Sequence, residues 1–225
     1  NQLMVSTYGD DCKFGSITSS AEYFFHWKTI HPDTTPYMDD IIKAHRKQEQ
    51  LVQGMLHPSR LLDISRSYTL FMDLGKHRIK VICRYQQYRA VHKMLERMRN
   101  GTTCNERSCV VWHTQGSGKS LTMVMLAQLL ANHPDITNPR IILVTDRVDL
   151  DDQIADTFKK CKQERVQART GSHLAELLEA EGDEIITTII KKFEAAVKSI
   201  KKPFTNDNIF VLIDEGHRTQ YGTCL

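Results

Sequence analysis

The sequence lacks several features that would assign it to a specialised class of protein. No apolar run approaches the roughly 18 residues that a membrane-spanning helix needs, so no transmembrane segment is predicted. The six cysteines include no C-x-x-C pair and predict reduced thiols in a cytoplasm. Neither sign of charge predominates, because the chain has 30 Lys and Arg and 27 Asp and Glu. The resulting net charge of +3 means that any contact with nucleic acid must be local.

The chain also begins without an initiator methionine and without a basic segment ahead of an apolar one. Its first four residues are Asn-Gln-Leu-Met, which exclude a signal peptide and suggest a trimmed chain or a piece of a longer one. Apolar residues make up 40% and charged residues 25%, which is typical of globular proteins. The 225 residues suffice for one large domain or two small ones.

Residues 1–78 carry no pattern that predicts a reaction. Leu3–Thr7 predicts a short strand, which the turn-forming residues Tyr8–Asp11 end. Apolar positions between Met38 and Met55 fall at helical spacing, and a second helix is predicted over Leu61–Met72. We therefore predict a mixed, mostly helical linker segment.

From residue 79 to residue 225 short apolar strands alternate with helical segments. Continuous apolar strands separated by helices predict an α/β fold with a parallel sheet covered on both faces. The helix that begins at Ser120 is apolar almost all round, as expected for a buried helix. The ends of the strands should line the site. Strands are predicted at 109–112, 141–144, 185–189 and 209–213, with a weaker one near Val166.

Residues 113–120, His-Thr-Gln-Gly-Ser-Gly-Lys-Ser, match the phosphate-loop pattern G-x-x-x-x-G-K-[ST] everywhere except at His113. The two glycines allow a tight turn in which successive N–H groups point at phosphate oxygens. Lys119 would reach the β- and γ-phosphates, and the Ser120 hydroxyl would bind Mg²⁺. The residues predicted to bind the nucleotide here are Thr114, Gln115, Gly116, Ser117, Gly118, Lys119 and Ser120.

Two acids, Asp214 and Glu215, follow the last apolar run of the chain. At the tip of a buried strand Asp214 can hold Mg²⁺ directly or through water, and Glu215 can orient the attacking water. Solvated turn residues are the simpler alternative. Together with the upstream loop, the pair predicts ATP hydrolysis, with Lys119, Asp214 and Glu215 in catalytic roles.

The Asp-Glu-x-His sequence at 214–217 resembles motif II of superfamily 2 helicases and translocases. That resemblance implies that His217 links the nucleotide to the nucleic-acid side of the domain. Residues 84–91 resemble the adenine-reading segment of the same superfamily, with Arg84 at its start. Gln87 is the better candidate for a bidentate bond to the adenine edge and Gln86 is the alternative. Polar residues that merely open a helix would give the same pattern.

Further strand ends resemble the DNA-contacting motifs of that superfamily. Residues 144–147 resemble motif Ia, 187–193 resemble motif Ib, and 169–172 offer a similar contact. Hydroxyls and backbone amides at strand tips suit phosphate contacts, although capping and turn chemistry uses the same residues. The predicted DNA contacts are Thr145, Arg147, Gly171 and Thr188.

Longer stretches of the sequence resemble one family within this superfamily, the motor (R) subunits of type I restriction–modification enzymes. They lie at 111–123, 144–151 and 211–222. Residues 1–3 and 24–28 resemble the stretch that links the family's nuclease domain to its motor, so the resemblance covers essentially the whole chain and implies that 1–78 is this linker and the end of the nuclease region. It implies that 79–225 is the first RecA-like lobe of a phosphate-loop NTPase. It also implies that ATP hydrolysis drives translocation of double-stranded DNA and cleavage of unmodified DNA. The implied partners are methylation and specificity subunits, in a bacterial or archaeal cytoplasm and away from membranes.

The resemblance also implies that family members have catalytic parts that these 225 residues do not contain. The acid-x-Lys nuclease residues and the second lobe with its arginine fingers are not present in the sequence. We therefore expect weak turnover from this chain alone. Two other interpretations stay open: another superfamily 2 helicase or a type III restriction subunit, and a nucleotide-binding or docking module without turnover.

Overall fold

The computed structural model describes residues 3–30, 46–114, 116–146, 148–161, 165–180, 184–200, 208–214 and 216. The chain divides into two compact units, Asn1–Met125 and Leu126–Leu225. The boundary between residues 78 and 79 stays a prediction. None of the helices in the described ranges has both the length and the apolar character that crossing a bilayer requires.

Two antiparallel hairpins occur in the first unit. In each of them a glycine is the first central residue of the turn, Gly9 with φ of 54° and Gly75 with φ of 67°. Positive φ at that position alone is the type II′ pattern, whose twist matches the flanking strands. The predicted strand at Leu3–Thr7 is confirmed, and the hairpins give this region more strand than a mostly helical segment would have. The strands are β1 (Leu3–Tyr8), β2 (Asp11–Ser16), β3 (Thr69–Leu74) and β4 (His77–Ile82).

The predicted helix at Leu61–Met72 is wrong in its second half. The helix spans Pro58–Ser67, and strand β3 begins at Thr69. The residues from Thr69 onward pair with β4, a contact that local periodicity does not report. The first part of the helical pattern predicted between 38 and 55, residues 38–45, lies outside the described ranges. The described part of this unit contains a 3-10 turn at Ala21–Tyr23 and the helices α1 (Lys47–Gln53), α2 (Pro58–Ser67), α3 (Tyr85–Asn100) and α4 (Cys104–Arg107).

The predicted strand at 109–112 is not formed. These residues have no strand assignment and pair with none of the described strands, and Val110 and Trp112 are 90% and 89% exposed. A run of β-branched and aromatic residues becomes a strand only where a neighbouring strand pairs with its backbone. Helix α5 (Lys119–Ala131) follows the loop at the predicted position, and Val124 and Leu130 within it are fully buried.

The described part of the second unit contains a four-stranded parallel sheet, in which the strand at 140–145 (β5) lies between the strands at 185–189 (β7) and 209–213 (β8). The short strand at 165–167 (β6) pairs with the other side of β7. All six residues of the inner strand β5 are buried. Since alternate residues of a strand face opposite sides, this burial shows that both faces of the sheet are covered. The predicted α/β fold is confirmed. The strands are β5 (Arg140–Thr145), β6 (Arg165–Gln167), β7 (Ile185–Ile189) and β8 (Ile209–Ile213).

Helices α6 (Val148–Lys160), α7 (Gly171–Glu179) and α8 (Ile190–Ser199) pack on this sheet. One face forms a core in which strand residues such as Ile142 and Ile186 meet Leu174 and Ala196 of the helices. Arg140 is 6% exposed, and its guanidinium donates hydrogen bonds to the carbonyls of Leu178, at 2.6 Å, and of Ala180. It therefore satisfies carbonyl groups that the end of α7 leaves without a helical partner.

Candidate nucleotide site

The phosphate loop turns at two glycines. Gly116 has φ of 74° and Gly118 has φ of 88°, in the left-handed region that side chains other than glycine seldom adopt. The Ser117 N–H donates to the Thr114 carbonyl at 3.2 Å, and α5 begins directly afterwards, at Lys119. Gln115 lies outside the described residues. The amino end of a helix therefore follows a glycine turn, which is the arrangement that binds phosphate.

Two features of the loop suit a phosphate group. A Cβ placed at Gly116 would meet no atom within 4 Å, so the backbone there borders open space. The Ser117 hydroxyl is buried and has no hydrogen-bond partner among the described residues. A buried polar atom without a partner is costly unless a ligand or water satisfies it. The donor set of the loop therefore fits a nucleotide phosphate, and the binding of Mg²⁺ by Ser120 stays a prediction.

Gln87 supports this loop from α3. The side chain is 2% exposed; its Oε1 accepts the Arg84 N–H at 2.8 Å and its Nε2 donates to the Gly118 carbonyl at 3.0 Å. A Cβ at Gly118 would lie 2.6 Å from that Nε2 atom, so any larger residue there would displace the Gln87 amide. The spacing in the sequence did not indicate this support. The adenine-binding role of Gln87 stays a prediction.

The other two residues predicted to bind adenine have different surroundings. Gln86 presents a buried Oε1 without a partner among the described residues, and it lines a groove with Tyr85 and His113. The guanidinium of Arg84 lies over the Phe25 ring, 3.9 Å from its centroid. Gln86 therefore retains more hydrogen-bonding capacity for a base than Gln87 does, and both assignments stay predictions.

The N-terminal residues hold α3 in place, a role that the sequence did not predict. The Asp63 carboxylate accepts hydrogen bonds from the Tyr88 hydroxyl at 3.1 Å and the His92 Nε2 at 3.0 Å. Burial, and then the Asp63 charge, raise the pKa of Tyr88, so its hydroxyl keeps its proton and donates. The rings of Trp27 and Tyr68 pack on Tyr88 with centroids 5.7 and 4.7 Å away. Gln87, one residue before Tyr88, is positioned by this cluster.

His113 occupies the position of the first glycine in the loop pattern. Its Nδ1 is buried without a partner among the described residues. Burial, and secondly the Lys119 charge, lower the pKa of His113. A neutral imidazole at this position leaves Lys119 as the charged side chain for the phosphates.

We expect His113 to make the folded chain less stable in mild acid. Because its pKa is lower in the folded chain, the unfolded chain binds more protons, and stability falls as the pH drops from about 6.5 toward the folded-state value. His113→Asn removes this ionisation. Urea unfolding at pH 7 and pH 5 should show the variant losing less unfolding free energy than the unchanged chain. If both chains lose the same unfolding free energy, the pKa of His113 does not differ between the folded and the unfolded chain.

Asp214 follows β8, where its N–H donates to the Val144 carbonyl at 2.9 Å. The hydrogen bond continues the pairing of β8 with β5 and holds the Asp214 backbone at the carboxyl end of the sheet. Glu215 and His217 lie outside the described residues. The predicted metal and catalytic roles of the three residues stay predictions.

The structure places two of the predicted DNA contacts side by side. Thr145 is 1% exposed and its hydroxyl donates to the Thr188 carbonyl at 3.5 Å, while Thr188 is fully buried. Gly171 begins α7, and a Cβ there would lie 2.8 Å from the Cβ of Ala195. Close helix packing therefore accounts for this glycine without DNA. Arg147 lies outside the described residues, and all four DNA contacts stay predictions.

The fold and the loop define the class of the protein: a phosphate-loop NTPase domain with a RecA-like parallel sheet. Comparison with known families gives the more specific assignment. Residues 86–225 match the SWI2/SNF2 ATPase family. The chain belongs to this family of helicase-like ATPases, which supports hydrolase activity and use of ATP.

Relatives of the chain include endonuclease subunits of type I restriction enzymes. The chain is 34% identical over 99% of its length to the HindI endonuclease subunit of Haemophilus influenzae, and 28% identical over 99% to the putative MjaIXP subunit of Methanocaldococcus jannaschii. It is 23% identical over 98% to the SsaAORF53P subunit of Staphylococcus saprophyticus. It spans 22% to 23% of the length of these relatives. The predicted resemblance to type I restriction subunits is confirmed.

Proposed function

We propose that this chain is the ATP-binding lobe of a type I restriction motor. In this proposal it binds ATP with Mg²⁺ and hydrolyses it to move double-stranded DNA, which leads to cleavage of unmodified DNA. Methylation and specificity subunits would complete the complex, which would work in a cytoplasm. The names of the relatives support the restriction system, and the SWI2/SNF2 match supports the ATPase.

The single observation that carries the proposal is the phosphate loop at 114–120. It combines two glycines in left-handed conformation, an open space at Gly116, an unpartnered buried hydroxyl at Ser117 and the start of α5. Bound Mg²⁺ would neutralise charge on the phosphates as the terminal one is transferred.

The residues of the chain would divide the work as follows. The loop N–H groups and the Lys119 ammonium would bind the phosphates, and the Ser120 hydroxyl with the Asp214 carboxylate would hold the metal ion. Glu215 would accept a hydrogen bond from the attacking water and orient it. The Gln86 or Gln87 amide would recognise the adenine edge.

Replacing Lys119 tests the nucleotide site. Lys119→Ala should weaken the binding of a fluorescent ATP analogue with Mg²⁺ about 100-fold, because charge-assisted contacts to two phosphates are lost. The titration is followed by fluorescence at fixed Mg²⁺. Lys198→Ala, which removes an exposed lysine from the last turn of α8, is the matched control and should bind normally. Unchanged affinity in Lys119→Ala would refute nucleotide binding by this loop.

A further inference from the structure

The two faces of the β3–β4 hairpin carry different side chains. Phe71 pairs with Lys80 and Asp73 pairs with Arg78 across the hairpin, so these four side chains share a face. The opposite face includes Leu70, which is 3% exposed. The face with Phe71 also includes Thr69 and Ile82 at its far end. Its aromatic and charged residues, together with the exposed turn residue Lys76, are named the outer face: Phe71, Asp73, Lys76, Arg78 and Lys80, of which Asp73 and Lys80 are half-buried.

The outer face combines an exposed aromatic ring with an excess of positive charge. Phe71 is 40% exposed, and the Arg78 guanidinium lies 4.9 Å from its ring centroid. Asp73 is the one carboxylate on this face, and its Oδ1 lies 3.6 Å from the Arg78 Nε. Three cations stand against that carboxylate, so the face stays positive after the ion pair is counted.

The hairpin is attached to the rest of its unit through the backbone of Lys80. The Thr18 hydroxyl accepts the Lys80 N–H at 2.8 Å and donates to the Lys80 carbonyl at 3.4 Å. Because these bonds involve only the main chain of Lys80, its ammonium stays available. These hydrogen bonds therefore hold the edge of β4 within its unit.

We propose that the outer face binds single-stranded nucleic acid. Its cations would contact successive phosphates, since side chains two residues apart on one strand face are about 7 Å apart. The exposed part of the Phe71 ring would stack on a base, which adds affinity in a way that every base can use. A duplex offers the same charges but hides its base faces, so the aromatic ring favours a single strand over a duplex.

This surface goes beyond the nucleotide site and uses none of its residues. It also differs from the strand-end contacts predicted at Thr145 and Thr188. A failure of either proposal can therefore be recognised separately: Lys119→Ala should lose ATP and keep its affinity for the single strand.

Fluorescence anisotropy of the whole chain with a labelled 15-residue oligothymidylate tests the surface. Phe71→Leu, which keeps an apolar residue in the strand, should weaken binding about tenfold. Lys76→Gln with Lys80→Gln leaves the Phe71–Arg78 contact intact. This pair should weaken binding and lower the slope of log affinity against log salt by about 1.4, or about 0.7 for each cation.

Matched controls remove similar groups elsewhere. Tyr8→Leu replaces an aromatic side chain that is 90% exposed in the other hairpin, and Lys159→Gln with Lys198→Gln removes two exposed lysines. Both should bind as the unchanged chain does, and circular dichroism confirms that all variants fold. Three results would overturn the proposal: hairpin variants with unchanged affinity and salt slope, a duplex bound more tightly than the single strand with no effect of Phe71→Leu, or an oligoglutamate peptide bound equally well.

Discussion

Glu215→Gln should bind ATP with the affinity of the unchanged chain and yet hydrolyse it at least 100-fold more slowly. The amide keeps the size of the carboxylate but is a poor base, so it cannot polarise the attacking water; general-base contributions are typically about 10²- to 10⁴-fold. Binding depends instead on the loop and Lys119, which the substitution leaves intact. The rate is measured in single-turnover experiments with the chain in excess over radiolabelled ATP, and affinity by equilibrium dialysis.

The control for Glu215→Gln is Glu194→Gln, which changes an exposed carboxylate of α8 in the same way. It should alter neither rate nor affinity. If Glu215→Gln hydrolyses ATP at the original rate, the acid pair is a solvated turn and hydrolysis needs another base. If it loses ATP affinity as well, Glu215 contributes to binding and its assignment to water activation fails.

Sequence reasoning succeeded where the determinants were local or repeated along the chain. The alternation of apolar runs and helices predicted the parallel sheet, because a strand buried on both faces must be apolar throughout. Strand β5, buried at every position, is such a case. The glycine pattern likewise predicted the loop, because left-handed backbone at Gly116 and Gly118 demands glycine.

It failed where the structure depends on a partner distant in the sequence. The apolar run at 109–112 has the composition of a strand, but pairing decides whether one forms. Thr69–Met72 continues an apolar pattern, yet it pairs with β4 and leaves the helix. The Asp63 cluster joins α2 to α3 across 25 residues, and no motif marks it.

The contrast between local pattern and tertiary contact also separates two site residues, Gly118 and Gln87. Gly118 is fixed both by its own φ and by the Gln87 amide that a Cβ would strike, so local pattern and tertiary contact agree. For Gln87 they do not: the motif predicts contact with adenine, whereas the hydrogen bonds to Arg84 and Gly118 use the amide within the protein. A base edge would have to replace the Gly118 contact or use the second N–H of the amide.

The 225-residue chain, supplied with ATP and duplex DNA, should release phosphate slowly and without marked stimulation by DNA. In motors of this class an arginine from a second lobe completes the charge stabilisation of the transferred phosphate, and such an arginine is worth about 10³- to 10⁵-fold in rate.

The chain spans 22% of the length of its Haemophilus influenzae relative, and the full-length relative is the reference protein for this measurement. Steady-state phosphate release should then differ by at least about 10³-fold. A fast, DNA-stimulated rate from the 225 residues alone would contradict the requirement for a second lobe. Equal and negligible rates from both proteins would support a nucleotide-binding module without turnover.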